Sequence, residues 1–540
     1  MGDGVDLTTD HRARRALLAD AVAALESRRL PVVEATCDRL LGMDPADMDA
    51  LLLRGLALGA SGQVAPAARM LNRVAAARAD YAHPCRDLDG MLGAREFAVQ
   101  VRACLDLTPG DERLRLMWAD CLRKSGDLTA AAATLVALLD DEPGTAAAHH
   151  ELGLVRAELG EIDAAIAHMQ RAVTLDPVPA LGWGNLGMLL KIQGRFAESI
   201  DAYDAALRRA PRDSQIRVNR VVALLRAGRF AEAWQDHEWR FALDEHTGLP
   251  LEGMLPSLAT LPDLPGRPTL MGQTVLLTHE QGFGDTLQFC RYVPLLAARG
   301  ARIALAVPPP LMRLLGTLPG VCEMVPADSK LPPYHWHCPM MSLPRVFGTT
   351  LETIPAEIPY LTADPALVTD WAGRLPRRRG LRVGLVWAGQ ARPWLPGFTT
   401  LDTRRSTHLA QFAPFGAIEG VQFISLQAGA SASEARTPPP GLALHDPMAS
   451  VTDFADTAAI VANLDLVISV DTSVVHLAGA LGKPVFLLDR YDNCWRWLSG
   501  RTDSPWYPTL RIFRQTRIGD WEPVMEQAAA ALAEFAAAAR

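Results

Sequence analysis

Cysteine is sparse in this chain, and the spacing of the thiols excludes more than their number does. The eight cysteines of the 540 residues lie at least sixteen positions apart, with no Cys-x-x-Cys among them. Zinc knuckles and dithiol redox motifs therefore have no ligand pattern to build from, and a disulfide-stapled secreted scaffold does not suit a chain this long. Basic excess is missing as well. With 53 Lys and Arg against 61 Asp and Glu, the net charge is −8, which argues against a nucleic-acid surface as the main business of the chain. No run of 18 uncharged apolar residues occurs, so no membrane span is expected. Met1–Asp20 opens acidic and polar without a signal-peptide core, and the chain reads as cytoplasmic. What is present is globular in kind: 49% apolar and 21% charged residues exclude extended disorder. The length suggests about three or four folding units.

A repeat decides the first half. Gly126, Gly160, Gly194 and Gly228 recur at intervals of 34, and Pro143, Pro177 and Pro211 keep the same period. Each interval holds two helical patterns, with glycine in the turn between them and proline after the second, where a helix cannot continue. Unit 180–213 carries Trp183, Leu186, Gly187, Gly194, Tyr203, Ala206 and Pro211; unit 146–179 carries Leu152, Gly153, Ala165, Ala172 and Pro177. Weaker units are read at 112–145, 214–247, 48–81 and 14–47, with a shortened one at 82–111. The pattern resembles the tetratricopeptide repeat (TPR) over 1–247. The resemblance implies a solenoid whose concave face holds a polypeptide, against the alternative that the array only braces the rest of the chain. His149 and His150 read as surface and packing positions rather than metal ligands. Trp234 and Trp239, with charged residues between them, look like a cap burying the last repeat against the adjoining domain. The proline- and leucine-rich 248–272 is read as a packed connector.

From Gln273 the texture changes to short apolar runs suited to buried parallel strands: 274–278, 302–307, 321–325, 381–387, 421–426, 465–470 and 484–488. Helical patterns at 285–298 and 472–481 alternate with them, which implies parallel sheets covered by helices. The economical division is two doubly wound lobes, 273–370 and 371–540, with ligands expected at the carboxyl ends of strands.

Two strand-to-helix turns stand out. Glu280-Gln281-Gly282-Phe283-Gly284-Asp285 follows the first strand; its glycines permit a tight turn, and Asp285 falls at or just before the start of a helix. It is not a dinucleotide fingerprint, and by spacing alone Asp285 reads best as an N-cap. Asp471-Thr472-Ser473-Val474-Val475-His476 follows a second strand. There Asp471 can cap the helix, Thr472 and Ser473 offer hydroxyls and amides to an anion, and His476 lies one turn in, as a ligand contact or a packed core histidine.

Over about 273–540 these motifs resemble the GT-B glycosyltransferases of the heptosyltransferase-like group, glycosyltransferase family 9. A glycine-aspartate turn and an Asp-Thr-Gly/Ser-x-x-His helix start occur in the family's order. The fold class so implied is an α solenoid of TPR units followed by an α/β GT-B fold with two Rossmann-like lobes. Joined to the repeats, to 338–344 and to Ser504-Pro505-Trp506-Tyr507-Pro508, the whole resembles bacterial TPR glycosyltransferases, some of which modify flagellin before export.

The resemblance implies Asp285 as the catalytic base and Gly282, Gly284, Asp471, Thr472, Ser473 and His476 as nucleotide-sugar contacts. It also points to Arg405 (or its neighbour Arg404) as a phosphate-side cation, and to Gln427 and Met448 near the nucleotide base. A solvated arginine pair and ordinary loop packing are the competing readings of these last positions. His337 and Trp495 are read as cleft lining, with Trp495, Arg496 and Trp497 equally suited to interlobe packing. Neither metal nor cofactor is expected, the nucleotide-sugar being a co-substrate; the alternation of His335 and His337 lacks further ligands. The expected activity is an inverting, metal-independent transfer to Ser or Thr of a docked protein, with flagellin as leading acceptor and a nonulosonic acid as one donor. The alternatives are a non-catalytic TPR adaptor on a degenerate fold and a transferase acting on lipid-linked glycan. Ser473 stands where glycine is common in the family, and the 391–403 insertion is unusual.

Overall fold

The computed structural model describes residues 7–63, scattered positions between 66 and 105, and then 109–243, 270–390 and 398–539. The units read at 48–81 and 82–111, the connector and the 391–403 insertion therefore lie partly or wholly outside the described residues. The chain divides into two compact units, Met1–Ile216 and Arg217–Arg540.

Among the described residues the first unit is helical. It contains α1 (Leu7–Glu26), α2 (Leu30–Met43), α3 (Met48–Ala60), α4 (Glu112–Lys124), α5 (Leu128–Asp141), α6 (Ala146–Glu158), α7 (Ile162–Leu175), α8 (Ala180–Ile192) and α9 (Phe196–Arg209). The 34-residue period is visible in the backbone: Gly126, Gly160, Gly194 and Gly228 all adopt φ between 78° and 85°. A left-handed residue ends one helix and releases the chain into the next, and glycine takes that conformation without a Cβ clash. Asp111 and Asp127 cap α4 and α5 by accepting first-turn amides. Small residues let the paired helices close up; a Cβ on Gly187 would sit 2.9 Å from the Tyr203 ring. Buried Leu135, Leu138, Leu152 and Val155 fill one inter-repeat space, and Ile166, Met169, Leu186 and Leu189 the next.

The last repeat begins with α10 (Ser214–Arg226) and α11 (Phe230–Asp236), the second helix cut short into a 3-10 turn at His237–Ala242. From Arg217 onward it belongs to the same compact unit as the sheets. Trp234 donates its indole N–H to the Thr349 carbonyl at 2.7 Å, and Arg226 donates to Asn493 at 2.6 Å. The cap reading of Trp234 thus has a specific acceptor.

Two parallel sheets follow. The first has strand order β3-β2-β1-β4, from β1 (Thr274–Thr278), β2 (Arg302–Val307), β3 (Val321–Pro326) and β4 (Trp336–Pro339). The second has order β10-β9-β8-β5-β6-β7, from β5 (Leu381–Val386), β6 (Val421–Ser425), β7 (Leu444–His445), β8 (Leu466–Val470), β9 (Val485–Asp489) and β10 (Leu510–Arg514). β8 and β9 are buried at every position, as strands covered on both faces must be. Leu385, Ile468, Leu488 and Phe513 pack with Met525 and Leu532 of the C-terminal helix Glu522–Ala538.

Strand positions read from apolar runs agree within a residue or so with those observed; β4, β7 and β10 were not among them. The helix expected over 285–298 differs. It runs as α12 (Phe283–Phe289), a 3-10 turn and α13 (Val293–Ala297), because Pro294 has no amide to donate back into a continuous helix. In chain order the remaining helices that bear on the site are α14 (Phe398–Arg405), α15 (Phe454–Ala462) and α16 (Ser473–Ala480).

Candidate functional site

The two turns singled out in the sequence leave different sheets and meet. α12 starts after β1 and α16 after β8, and the helices pack through their first turns. A Cβ on Gly284 would lie 2.8 Å from Cδ2 of His476 and 3.4 Å from Cα of Ser473, so only glycine permits this approach. Gly282 sits at the N-cap position of α12.

Asp285 is the third residue of α12 rather than a residue at its threshold. Its Oδ2 accepts the Gly282 amide at 2.9 Å, a cap made from inside the first turn. Its Oδ1 accepts from the guanidinium of Arg496. Arg496 also donates to Gln288 Oε1 at 2.6 Å and lies 4.6 Å from the centre of the Trp495 ring. Burial, the largest single influence, would lower the pKa of Arg496, but Asp285 together with Cys494 and Asp471 outweighs it and the net shift is upward. The ion pair ties α12 to the turn after β9.

His476 is 5% exposed. Its Nδ1 lies 3.0 Å from the Tyr507 hydroxyl, and Trp497 stacks on its ring at 5.2 Å. Tyr507 lies 3.3 Å from Tyr360, which accepts from Arg291 at 3.0 Å. Burial first, then Arg496 and Arg291, hold the imidazole pKa well below its ordinary value. His476 is a neutral ring with a fixed orientation, not a cation. The Ser-Pro-Trp-Tyr-Pro motif supplies that fixing tyrosine.

At the head of α16 the capping read for Asp471 is absent. Thr472 holds the N-cap position without a side-chain cap hydrogen bond, and its hydroxyl lies 3.1 Å from Ser469 Oγ instead. Ser473 opens the helix. Of the first-turn amides, that of Val475 donates to the Thr472 carbonyl at 3.2 Å, and no side-chain oxygen caps the helix start, so the dipole's positive end is not masked by a capping side chain. Arg405, at the end of α14, reaches this turn. Its guanidinium donates to the Gln390 carbonyl at 3.1 Å and approaches the Asp471 carbonyl at 3.5 Å, and it pairs with Asp402 at 2.9 Å. Arg404 turns elsewhere, to Asp492 at 3.2 Å. Beside Asp471, the fully buried Asp489 has its pKa pushed up to about 6, by burial first, with Arg514 opposing and Asp471 adding to the rise.

Other candidates take structural places. Gln427 Oε1 accepts the Trp387 and Ala388 amides at 3.0 and 2.9 Å, and its Nε2 donates to the Ala388 and Ala428 carbonyls at 2.9 and 2.8 Å. Any nucleotide contact by this side chain would be one of shape, its hydrogen-bonding capacity being taken. Met448 begins a 3-10 turn, half-buried. His337 lies in β4, 2.9 Å from Thr278, and burial lowers its pKa to about 4. Trp495 lies in an aromatic cluster with Phe230, Trp234, Phe289 and Trp506. Among the described residues no group of three or more His, Cys, Asp or Glu is arranged to hold a metal ion, and no helix is long and apolar enough to cross a membrane.

Sequence reasoning missed Gln288, Tyr360, Arg291 and Asp489 as neighbours of the site. None has a local signal, since each is brought in by a partner far along the chain.

Chain and geometry together define a helical repeat region followed by an α/β region of parallel sheets. Residues 116–178 and 185–236 match the tetratricopeptide repeat, and 426–497 match glycosyltransferase family 9 (heptosyltransferase). The second match spans the β8–α16 turn and ends at Trp497. A curated relative, protein FlbA of Caulobacter vibrioides, is 28% identical over 485 residues, covering 83% of this chain and 76% of that protein. Among solved structures, MamA is 21% identical, covering 28% of this chain and 87% of its own, with a TM-score of 0.26. A thermophilic TPR protein of Thermus thermophilus is 22% identical, covering 39% and 99%, with a TM-score of 0.24. The chain thus combines tetratricopeptide repeats with a glycosyltransferase family 9 domain, consistent with a TPR glycosyltransferase.

Proposed function

We propose that the protein is a GT-B glycosyltransferase that moves a sugar from a nucleotide-sugar to a Ser or Thr hydroxyl of a protein docked by the repeat array. The observation that carries this reading is the meeting of the two motif turns. Gly284 packs on Ser473 and His476, so Asp285 from one sheet and the open start of α16 from the other share one locality. Asp285 takes the proton of the acceptor hydroxyl, a role that contributes about 10²–10⁴-fold when the base is well positioned. The start of α16 receives the leaving phosphate, where helix-end electrostatics supply about 0.3–2 kcal/mol, and Arg405 adds a cation beside it. The neutral His476 orients rather than neutralises. The transfer is inverting and proceeds without metal or cofactor, in the cytoplasm. The two lobes are 273–370 and 371–540, joined through 248–272 to an array spanning 1–247. Flagellin is the leading acceptor, and a CMP-activated nonulosonic acid is one donor to try.

The test is incubation of the full chain with nucleotide-sugars and purified flagellin, followed by intact-protein mass. A mass gain on the acceptor that falls about 10²–10⁴-fold in rate with Asp285→Asn is expected, with nucleotide binding retained. Sugar appearing on lipid or free in solution, with no protein gaining mass, would overturn the protein-acceptor reading. A biological activity untouched by Asp285→Asn would favour an adaptor.

A further inference from the structure

The turn that presents Asp285 is gripped from behind by the last repeat. Arg240, at the end of that repeat, donates to Glu280 through Nε at 2.6 Å and Nη2 at 2.9 Å. The fork is completed by Ser342 Oγ at 2.7 Å and Glu238 Oε1 at 2.6 Å. Arg240 is 4% exposed and Glu280 1%. Two charges held this far from water need close pairing to persist, and the two-point guanidinium–carboxylate fork fixes direction as well as distance. Glu280 is followed directly by Gln281, whose φ of +61° is the left-handed region, unusual for a residue with a side chain. The chain then passes through Gly282, whose amide holds Oδ2 of Asp285. A backbone in that conformation persists when its surroundings over-determine it, and the Arg240–Glu280 fork lies one residue upstream.

Resting on the glycosyltransferase reading for the role of Asp285, we infer that Arg240 is a positioning residue, acting through Glu280 to set the 280–285 turn and thereby the Asp285 carboxylate. The end of the repeat region is in this sense part of the transfer machinery and not only a docking module. Lysine is no substitute, because its compact ammonium lacks the planar fork by which the guanidinium reaches Glu280, Ser342 and Glu238 at once.

The experiment compares wild type, R240K and the double variant R240M/E280Q, all as full chains, with D285N in parallel. The double variant removes the two most deeply buried charges together, so no fully buried ion is left unpaired; Glu238, partly exposed, keeps its hydrogen bonds from Ser342. Two quantities are read: deuterium exchange over 280–286, and kcat and KM for the nucleotide-sugar in the acceptor-mass assay. Exchange over 280–286 should rise at least about tenfold in R240K and R240M/E280Q, with 454–480 unchanged. In the same variants kcat should fall at least about tenfold while KM moves less than about threefold; unchanged exchange over 454–480 shows that this fall is not a smaller folded fraction. Wild-type exchange, or wild-type kcat, in R240M/E280Q would overturn the inference. If D285N transfers sugar at the wild-type rate, the reading of Asp285 fails on its own, and exchange over 280–286 still decides whether Arg240 sets the turn.

Discussion

Replacing Gln427 by leucine separates a strand-end clamp from a ligand contact. The wild-type amide closes four hydrogen bonds to main-chain groups of Trp387, Ala388 and Ala428, and the residue is 2% exposed. Leucine fills a similar volume and makes none of them. Each buried main-chain group left without a partner costs about 1–3 kcal/mol; if half of the four re-pair by small shifts of the loop after β5, the loss is about 2–6 kcal/mol. Urea denaturation followed by tryptophan fluorescence reads it directly, because the fully buried Trp387 lies at the clamp itself. The chain has two compact units, so the comparison is made on the transition that moves and not on a single global midpoint. Nucleotide affinity, titrated under native conditions, should change by less than about threefold, or ~0.7 kcal/mol. The reasoning fails if Gln427→Leu unfolds within about 1 kcal/mol of wild type, or if it abolishes nucleotide binding at unchanged stability.

Gly284→Val should force α12 and α16 apart, since even a Cβ meets His476 at 2.8 Å; a cost of about 1–3 kcal/mol and loss of nucleotide affinity are expected by thermal shift and titration. Arg496→Met leaves Asp285 and Gln288 without their common donor, and breaking this pair should cost about 3 kcal/mol in the same denaturation assay. In the repeats, Nδ1 atoms of His149 and His168 lie 3.0 Å apart, and burial holds both pKa values below 6.5. The pair therefore contributes fully above about pH 6.5 and loses its contribution as pH falls through the lowered folded values. Melting temperatures at pH 7.5 and 5.0 should differ less in H149Q than in wild type, and an equal difference would remove the pair from the account.

Much of this molecule was legible because its signals are local. A glycine every 34 residues specifies a left-handed turn wherever it falls, and apolar runs bounded by turns mark buried strands, so repeats and seven strands could be read in order. The two turns could also be named, since motif and spacing are properties of neighbours in the chain, whereas Met448 and Arg405 came only from the family resemblance. The partners could not. The two-residue β7, half-buried at both positions, has no run to read. The separation between Asp285 and Arg496 is 211 residues, and no periodicity links them. Likewise Gln427 looks the same in sequence whether it faces a nucleotide or two peptide amides.

The sequence by itself determined a helical repeat region, a parallel α/β region, and which residues carry the family's motifs. Only the tertiary structure decided that the two turns touch, that Asp285 is ion-paired, that burial holds the His476 pKa well down, and that Arg240 of the last repeat is bonded to Glu280 beside the turn carrying Asp285. The physical reason is the same throughout: secondary structure follows from period and propensity over a few residues, whereas charge state, orientation and pairing depend on which distant side chains share a buried volume.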